Sequence, residues 1–124
     1  MFFGFRKKKK HTLTEKEKKW NLLCDKYADG SLEENYFILF DYHAAINGEG
    51  HHCFFDNKSQ NLTHYVNTLK TLLPNDFFAE FFKAYTAYIS DDSNIENICD
   101  LADAYFYENE NLIIDILQAY ADSL

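Results

Sequence analysis

Hydroxyl residues that are followed three positions later by a glutamate constrain the fold more than any other feature of the sequence. Three such pairs that predict helix starts are Thr14 with Glu17, Ser31 with Glu34, and Ser93 with Glu96. In such a capping box the hydroxyl accepts a hydrogen bond from an unpaired backbone N–H, and the carboxylate accepts one from the cap residue. The pairs predict helices that begin near residues 15, 32 and 94. Gly30 stands where a left-handed residue would end the first of these helices.

Apolar periodicity predicts the other helices. One proline and four glycines in 124 residues leave few positions that break a helix. Apolar residues spaced by three and four predict helices over about residues 15–28, 32–46, 60–73, 76–89, 94–107 and 110–122. The segment 76–89 is apolar on nearly every side, as is typical of a helix surrounded by others, and Leu101 falls on the apolar stripe of the fifth helix. We therefore predict an all-α, single-domain bundle of about six helices over residues 12–124, with segment 76–89 at its centre.

Charge is distributed unevenly along the chain. Residues 1–30 carry nine basic and four acidic side chains, whereas residues 31–124 carry three basic and sixteen acidic ones. Nine of those carboxylates follow Ser90, and no lysine or arginine follows it. Since an ordinary soluble surface mixes both signs, this one-sided distribution favours a basic partner and disfavours direct binding of nucleic acid by the acidic part.

The first eleven residues, MFFGFRKKKKH, have a different composition from the rest. We expect residues 1–11 to form a flexible basic tail. Its three phenylalanines and five cations could contact an anionic membrane surface through apolar and charge interactions. One short motif of this kind would anchor the protein only weakly. The order, apolar before basic, is the reverse of a secretory signal, and no apolar run is long enough to cross a bilayer. We therefore expect a cytoplasmic protein.

The segment AINGEGHHCFFDN, residues 45–57, concentrates the residues most often found in metal and thiol sites. Three of them, His51, His52 and Cys53, are adjacent, and regular backbone cannot direct three adjacent side chains at one ion or one reaction centre. The cysteines Cys24, Cys53 and Cys99 are odd in number and far apart, which indicates reduced thiols. We therefore predict no metal and no cofactor. A small metal- or thiol-dependent enzyme centred on residues 48–57 is the alternative.

The preferred interpretation of the same segment is a turn that holds the helices together. We expect Gly48 and Gly50 to adopt positive φ, and Phe54 and Phe55 to pack into the core. Asn57 or Ser59 would then cap the third helix.

Part of this segment fits a short pattern, N-x-G-G-F-x-Q-F/Y-F/Y-x-N. The matching residues are Asn47, Gly50, Phe54, Phe55 and Asn57, whereas Glu49, His51 and Cys53 depart from it. With the aromatic run 105–107 and the acidic end of the chain, the pattern resembles a bacterial family of domains of unknown function that includes a DNA-mimic protein. The resemblance covers about residues 33–122. It implies an all-α fold and no established catalytic role.

These observations predict a non-enzymatic interaction protein that presents an acidic helical face to a basic protein. The partner would be either a DNA-binding protein or a toxin. For the first, the face would mimic DNA phosphates; for the second, this protein would be the immunity-type protein that neutralises the toxin. Complementary charge of this kind speeds association and is weakened by salt. The predicted face comprises Asp91, Asp92, Glu96, Asp100, Asp103, Glu108, Glu110 and Asp115.

Overall fold

The computed structural model describes residues 12–124, and the regular structure in that range is entirely α-helical. The helices are α1 (Glu15–Asp29), α2 (Glu34–Asn57), α3 (Leu62–Leu72), α4 (Asn75–Ile89) and α5 (Ile95–Asp122). Helix α5 packs against α1, α2 and α4, while α3 packs against α2 and α4. None of the described helices combines the length and the apolar character needed to cross a membrane. The tail predicted for residues 1–11 lies outside the described residues.

Of the three predicted capping boxes, the one at the start of α1 is confirmed. The Glu17 backbone N–H donates to Thr14 Oγ1 at 3.1 Å, and the Thr14 N–H donates to Glu17 Oε1 at 2.8 Å. The predicted end of α1 is also confirmed, because Gly30 adopts the left-handed conformation there with φ 77°. Local sequence therefore fixes both ends of α1.

The other two capping boxes are wrong, because neighbouring groups take the places of the serines. The Ser31 N–H donates to the Lys26 carbonyl and to Asp29 Oδ1, so Ser31 completes the end of α1. Helix α2 begins three residues later, with Glu33 as its N-cap. Before α5, it is Asp92 Oδ1 that accepts a backbone hydrogen bond, from Asn94 at 2.8 Å, and Ser93 does not cap the helix.

The described chain has five helices instead of about six, because the predicted fifth and sixth helices are one continuous helix, α5. Its polar run 108–111 contains neither glycine nor proline, so nothing interrupts the backbone. Buried positions keep helical spacing on both sides of the run, at Cys99, Ala102, Phe106, Ile113, Leu117 and Ala121. The run therefore lies along the outside and flank of one long helix.

The centre of the core is a cluster of aromatic rings around Tyr42, which is fully buried. Its ring contacts Phe54, Phe81 and Phe106 edge-on, with centroids 5.3, 5.4 and 5.7 Å apart. Edge-to-face geometry is a favourable arrangement for aromatic pairs. Because these rings come from α2, α4 and α5, the cluster joins the three helices at one point.

Helix α4 is not enclosed as the sequence predicts. Phe82 and Ile89 on its outer side are 43% and 60% exposed. The helix packs against α5 on one flank and reaches α2 and α3 on the other, which leaves the third side open to solvent. The long helix α5 contacts α1, α2 and α4.

A carboxylate on α2 joins the first three helices. Asp41 accepts hydrogen bonds from the hydroxyls of Tyr27 on α1 and Tyr65 on α3, at 2.6 and 2.8 Å. Lys58 Nζ lies 2.8 Å from the same carboxylate. Burial raises the pKa of Asp41, but the hydrogen bonds from Lys58, Tyr27 and Tyr65 outweigh burial and hold it below its ordinary value. Asp41 is therefore ionised and positions α1 and α3 against α2.

Candidate functional site

The segment predicted as a turn is a kink inside α2. The backbone departs from helical geometry at Gly50, with φ 81° and ψ 175°, and helix resumes from His51 to Asn57. The expectation of positive φ is confirmed for Gly50 and wrong for Gly48, which is helical. Phe54 and Phe55 are fully buried, as predicted. Residues 45–57 therefore contain the kink at which the two helical parts of α2 meet.

The helix that resumes after the kink is capped from another helix. The His51 backbone N–H donates to Asp103 Oδ1 on α5 at 2.9 Å, and His51 Nδ1 lies 2.6 Å from the same oxygen. A side-chain oxygen that accepts from a first-turn N–H acts as an N-cap, and a negative charge at a helix N-terminus is stabilised by the helix dipole. Asp103 does both, although it is 52 residues away in sequence.

The other ring nitrogen of His51 extends this chain of hydrogen bonds into the core. Its Nε2 lies 2.7 Å from the hydroxyl of Tyr42. An ionised carboxylate only accepts, so His51 Nδ1 donates to Asp103, and in the neutral imidazole Nε2 then accepts from the tyrosine. Burial raises the pKa of Tyr42 well above its ordinary value, which keeps the hydroxyl protonated as a donor. His51 and Tyr42 are 1% and 0% exposed, so this part of the chain of hydrogen bonds is closed to solvent.

The same contacts make the stability of the kink dependent on pH. Burial raises the pKa of Asp103, but the side-chain and backbone hydrogen bonds from His51 outweigh it and lower the pKa below its ordinary value. A carboxyl whose pKa is lowered by folding stabilises the fold above its unfolded pKa of about 3.9, and this stabilisation is lost as the pH falls through the folded value. We expect Asp103→Asn to be less stable than the wild type near pH 6. The difference should shrink as the pH falls below about 4, in urea unfolding at each pH.

A constant difference in the free energy of unfolding between the wild type and Asp103→Asn from pH 6 to pH 3 would contradict the lowered pKa of Asp103. The control is Asp25→Asn, which removes an exposed carboxyl on α1. Its curve should follow that of the wild type at every pH.

A second carboxylate of α5 holds the part of α2 before the kink. Glu110 Oε2 lies 2.9 Å from His43 Nε2 and accepts from the side-chain amide of Asn47 at 3.1 Å. The Tyr107 hydroxyl donates to the Ile46 carbonyl at 3.0 Å. The family-like residue Asn47 therefore contributes a contact between helices, and Asn57 instead donates to Glu49 at 2.6 Å and caps no helix.

The eight residues of the predicted acidic face do not lie on one surface. The side chains of Asp103 and Glu110, 25% and 28% exposed, face α2 as described above. Asp91 and Asp92 are exposed in the connection between α4 and α5, where Asp91 has φ 55°. The other four are exposed along α5. The structure thus divides the set into two carboxylates that position helices and six that face solvent.

Exposed carboxylates along α5 form what we call the acidic strip: Glu96, Asp100, Glu108, Asp115 and Asp122. Sequence reasoning missed Asp122, although it follows Asp115 by seven residues, as Asp115 follows Glu108. A spacing of seven residues returns to nearly the same side of a helix and was the signal available. Within residues 12–124, the first four members of the strip form no ion pair, and Asp122 accepts from Gln118 at 2.9 Å.

An apolar groove of about 370 Å³ lies between α4 and α5, beside the N-terminal part of the acidic strip. Ile98, Leu101 and Ala102 line it from α5, and Lys83 and Asp92 are among its polar residues. Leu101 was expected to be buried and is 65% exposed. The groove escaped sequence analysis because an apolar residue on an amphipathic stripe looks the same whether or not another helix covers it.

The described residues do not bring the candidate metal or thiol residues of segment 48–57 together at one point. His51 points into the core, Cys53 is exposed, and the His52 ring packs edge-on against Tyr88 with centroids 6.2 Å apart. Over residues 12–124, no group of three or more histidine, cysteine or acidic side chains is placed to hold a metal ion.

Over residues 12–124 the protein is all-α and exposes an acidic strip on α5, the longest described helix. No protein-family model, no curated protein and no solved structure matches the chain. The resemblance to the bacterial family of unknown function therefore stays a prediction.

Proposed function

We propose that this protein is a non-enzymatic interaction protein that binds a basic protein through the acidic strip of α5. The observation that carries the proposal is the strip itself: five exposed carboxylates on one rigid helix, with no lysine or arginine anywhere after Lys83. A partner that carries lysine or arginine side chains along one face would meet only favourable charges there.

The dimensions of the strip favour a partner recognised charge by charge. Glu96 and Asp122 are separated by 26 positions, which is about 39 Å along a helix, so neighbouring carboxylates are roughly 10 Å apart on average. The Debye length at physiological salt is about 8 Å. Each carboxylate therefore acts on a partner mainly at short range, through its own ion pair.

The same dimensions weigh against the DNA-mimic form of the hypothesis. One strand of DNA carries a charge about every 3.4 Å along its axis, roughly three times the linear density of the strip. A protein surface built to bind a phosphate backbone would find too few charges on this helix alone. A basic protein surface with spaced cations, such as a toxin neutralised by an immunity-type partner, fits the spacing better.

The proposal assigns different roles to carboxylates of the same helix. Asp103 and Glu110 hold α2 against α5 and are not expected to contact the partner. Within residues 12–124 the strip residues have no such structural partner, apart from the bond from Gln118 to Asp122. Neutralising the strip should therefore affect binding more than stability.

The test is capture of partners from a lysate of the source organism by the tagged wild type and by the triple variant Asp100→Asn, Glu108→Gln and Asp115→Asn. Exposed ion pairs are each worth about 0.2–1 kcal/mol, so we expect the triple variant to bind the captured basic protein roughly tenfold more weakly. Quantitative mass spectrometry identifies the proteins that differ, and titration of the purified partner gives the affinity ratio.

The matched control neutralises three exposed carboxylates on other helices, Asp25→Asn, Glu34→Gln and Asp76→Asn. It changes the net charge by the same amount and should bind like the wild type. Equal loss in both triple variants would show a dependence on net charge alone. Binding that persists unchanged at 1 M salt, where the Debye length is about 3 Å, would also overturn the proposal.

A further inference from the structure

We propose that the N-terminal segment, residues 2–10, docks on this chain's own α5. Its phenylalanines occupy the groove between α4 and α5, and its basic residues lie along the acidic strip. This goes beyond the proposed function, because it requires no second protein. It also implies that a basic partner would compete with the segment for the same surface.

The groove provides the apolar half of this docking site. Its volume of about 370 Å³ falls within the usual range of ligand pockets, roughly 300–1,000 Å³. Leu101 is 65% exposed beside it, the largest exposure among the large apolar side chains of residues 12–124. Phe2 and Phe3, followed by Phe5, are the aromatic residues that the segment can offer.

The geometry of the chain allows the segment to reach the groove. Leu13 and Gln118 line the same surface depression, and the Gln118 side-chain amide is 3.4 Å from the Lys16 carbonyl. The described chain therefore begins beside the C-terminal part of α5. Leu101 precedes Gln118 by seventeen positions, about 25 Å along the helix. The ten residues from Thr12 back to Phe2 span up to about 33–36 Å when extended.

The charges fall into register on the same path. Lys10 and Arg6 lie two and six residues before Thr12, so extended chain places these five consecutive cations roughly 7–20 Å from that residue. Asp115 and Glu108 lie about 5 and 15 Å from Gln118 along α5. The basic run therefore passes over the middle of the acidic strip when the phenylalanines reach the groove.

Charge also favours this occupant over the other two candidates. A second copy of the chain would bring two acidic strips together, which is repulsive. An anionic membrane would attract the basic segment but repel the acidic strip beside the groove. The five consecutive cations of residues 6–10 are the densest positive charge in this sequence, and they are already tethered next to the strip.

Paramagnetic relaxation in the full chain tests the docking. A nitroxide is attached at Gly4→Cys in a chain that also carries Cys24→Ser and Cys53→Ser. Cys99 is left in place, because burial, with the neighbouring Asp103, Asp100 and Asp56 charges, raises its pKa to about 12 and keeps the thiol unreactive. We expect the amide signals of residues 98–104 to lose most of their intensity, while those of α3 keep theirs. A mixture of isotope-labelled chain without nitroxide and unlabelled chain with it should show no loss.

Substitutions at two exposed apolar residues of equal size give a test variant and its matched control. Leu101→Asn removes an apolar wall of the groove and should restore the lost signals. Ile89→Asn changes a residue that is 60% exposed and lies outside the groove, and the signal loss should persist. High salt should weaken the effect, since the basic run contributes through screened ion pairs.

Undiminished signals along α5 in the singly labelled chain would overturn the proposal. Signal loss that appears in the mixed sample as well would replace it with a second copy as the occupant. Loss of the effect on adding anionic vesicles, with the segment bound to the vesicles, would replace it with a membrane. Because no other protein is present, these results are independent of whether the strip binds a basic partner.

Discussion

Replacing Phe54 with alanine is expected to lower the free energy of unfolding by about 3–5 kcal/mol, as is usual for a buried phenylalanine. The side chain is fully buried after the kink of α2. Its ring contacts Tyr42, Phe55 and Tyr65, with centroids 5.3, 5.8 and 5.9 Å away. Removing it leaves a cavity where α2 and α3 meet, and because folded domains are only marginally stable, the loss is a large fraction of the total.

Urea unfolding followed by circular dichroism measures the change. The matched control is Phe82→Ala on α4, where the ring is 43% exposed and its removal opens no enclosed cavity. We expect the control to lose less than about 1 kcal/mol. An unchanged melting temperature for Phe54→Ala, or equal losses in the two variants, would show that the segment after Gly50 does not anchor the core.

Local sequence predicted the helices themselves because helix formation depends on apolar spacing and on residues close in the chain. Both ends of α1 follow from Thr14, Glu17 and Gly30 without reference to the rest of the fold. The serines at 31 and 93 carry the same signal and fail, since a nearby aspartate takes the backbone donor in each case. Capping patterns thus locate a helix start to within a few residues but do not identify the cap when several oxygens compete.

Local sequence predicted the positive φ at Gly50 but not the cap of the helix that resumes after it, because that cap comes from Asp103 on another helix. Nothing in the sequence distinguishes Asp103 from Asp100, and both satisfy the pattern of an acidic helix face. Only packing of α2 against α5 decides that one accepts from His51 while the other faces solvent. For the same reason the sequence did not show that Asp103 and Glu110, two residues of the predicted acidic face, point toward α2.

Two carboxylates of α5 position α2 on the side of α5 away from the acidic strip. Asp103 holds α2 after the kink and Glu110 holds it before the kink, so both halves of α2 are fixed to the inner flank of α5. The strip lies on the outer side of the same helix. A change that loosens the kink should therefore reach the acidic strip through α5, the helix that they share.

Gly50→Ala is expected to be the most damaging small substitution in the chain, because it combines two costs. At φ 81° and ψ 175° the backbone is in a region that only glycine readily adopts, where another residue costs about 1–3 kcal/mol. An added Cβ would also lie 2.8 Å from Asp103 Oδ2. The carboxylate must shift, which weakens its bonds to His51 at a further cost of about 1.5–3 kcal/mol.

Gly48→Ala provides the matched control two residues away. Gly48 is helical, and an added Cβ there meets nothing within 4 Å. Alanine is favoured over glycine inside a helix by about 0.5–1 kcal/mol, so this variant should be slightly more stable than the wild type. Opposite signs for the two substitutions would confirm that the kink needs glycine at one position only, whereas equal destabilisation would contradict the assignment.

A double-mutant cycle with Asp103→Ala separates the two costs at Gly50. In that background the Cβ meets no carboxylate, so only the backbone cost of about 1–3 kcal/mol should remain. The coupling between the two positions then measures how strongly Asp103 resists displacement from His51. Additive effects would mean that the close approach of Asp103 to position 50 has no energetic consequence.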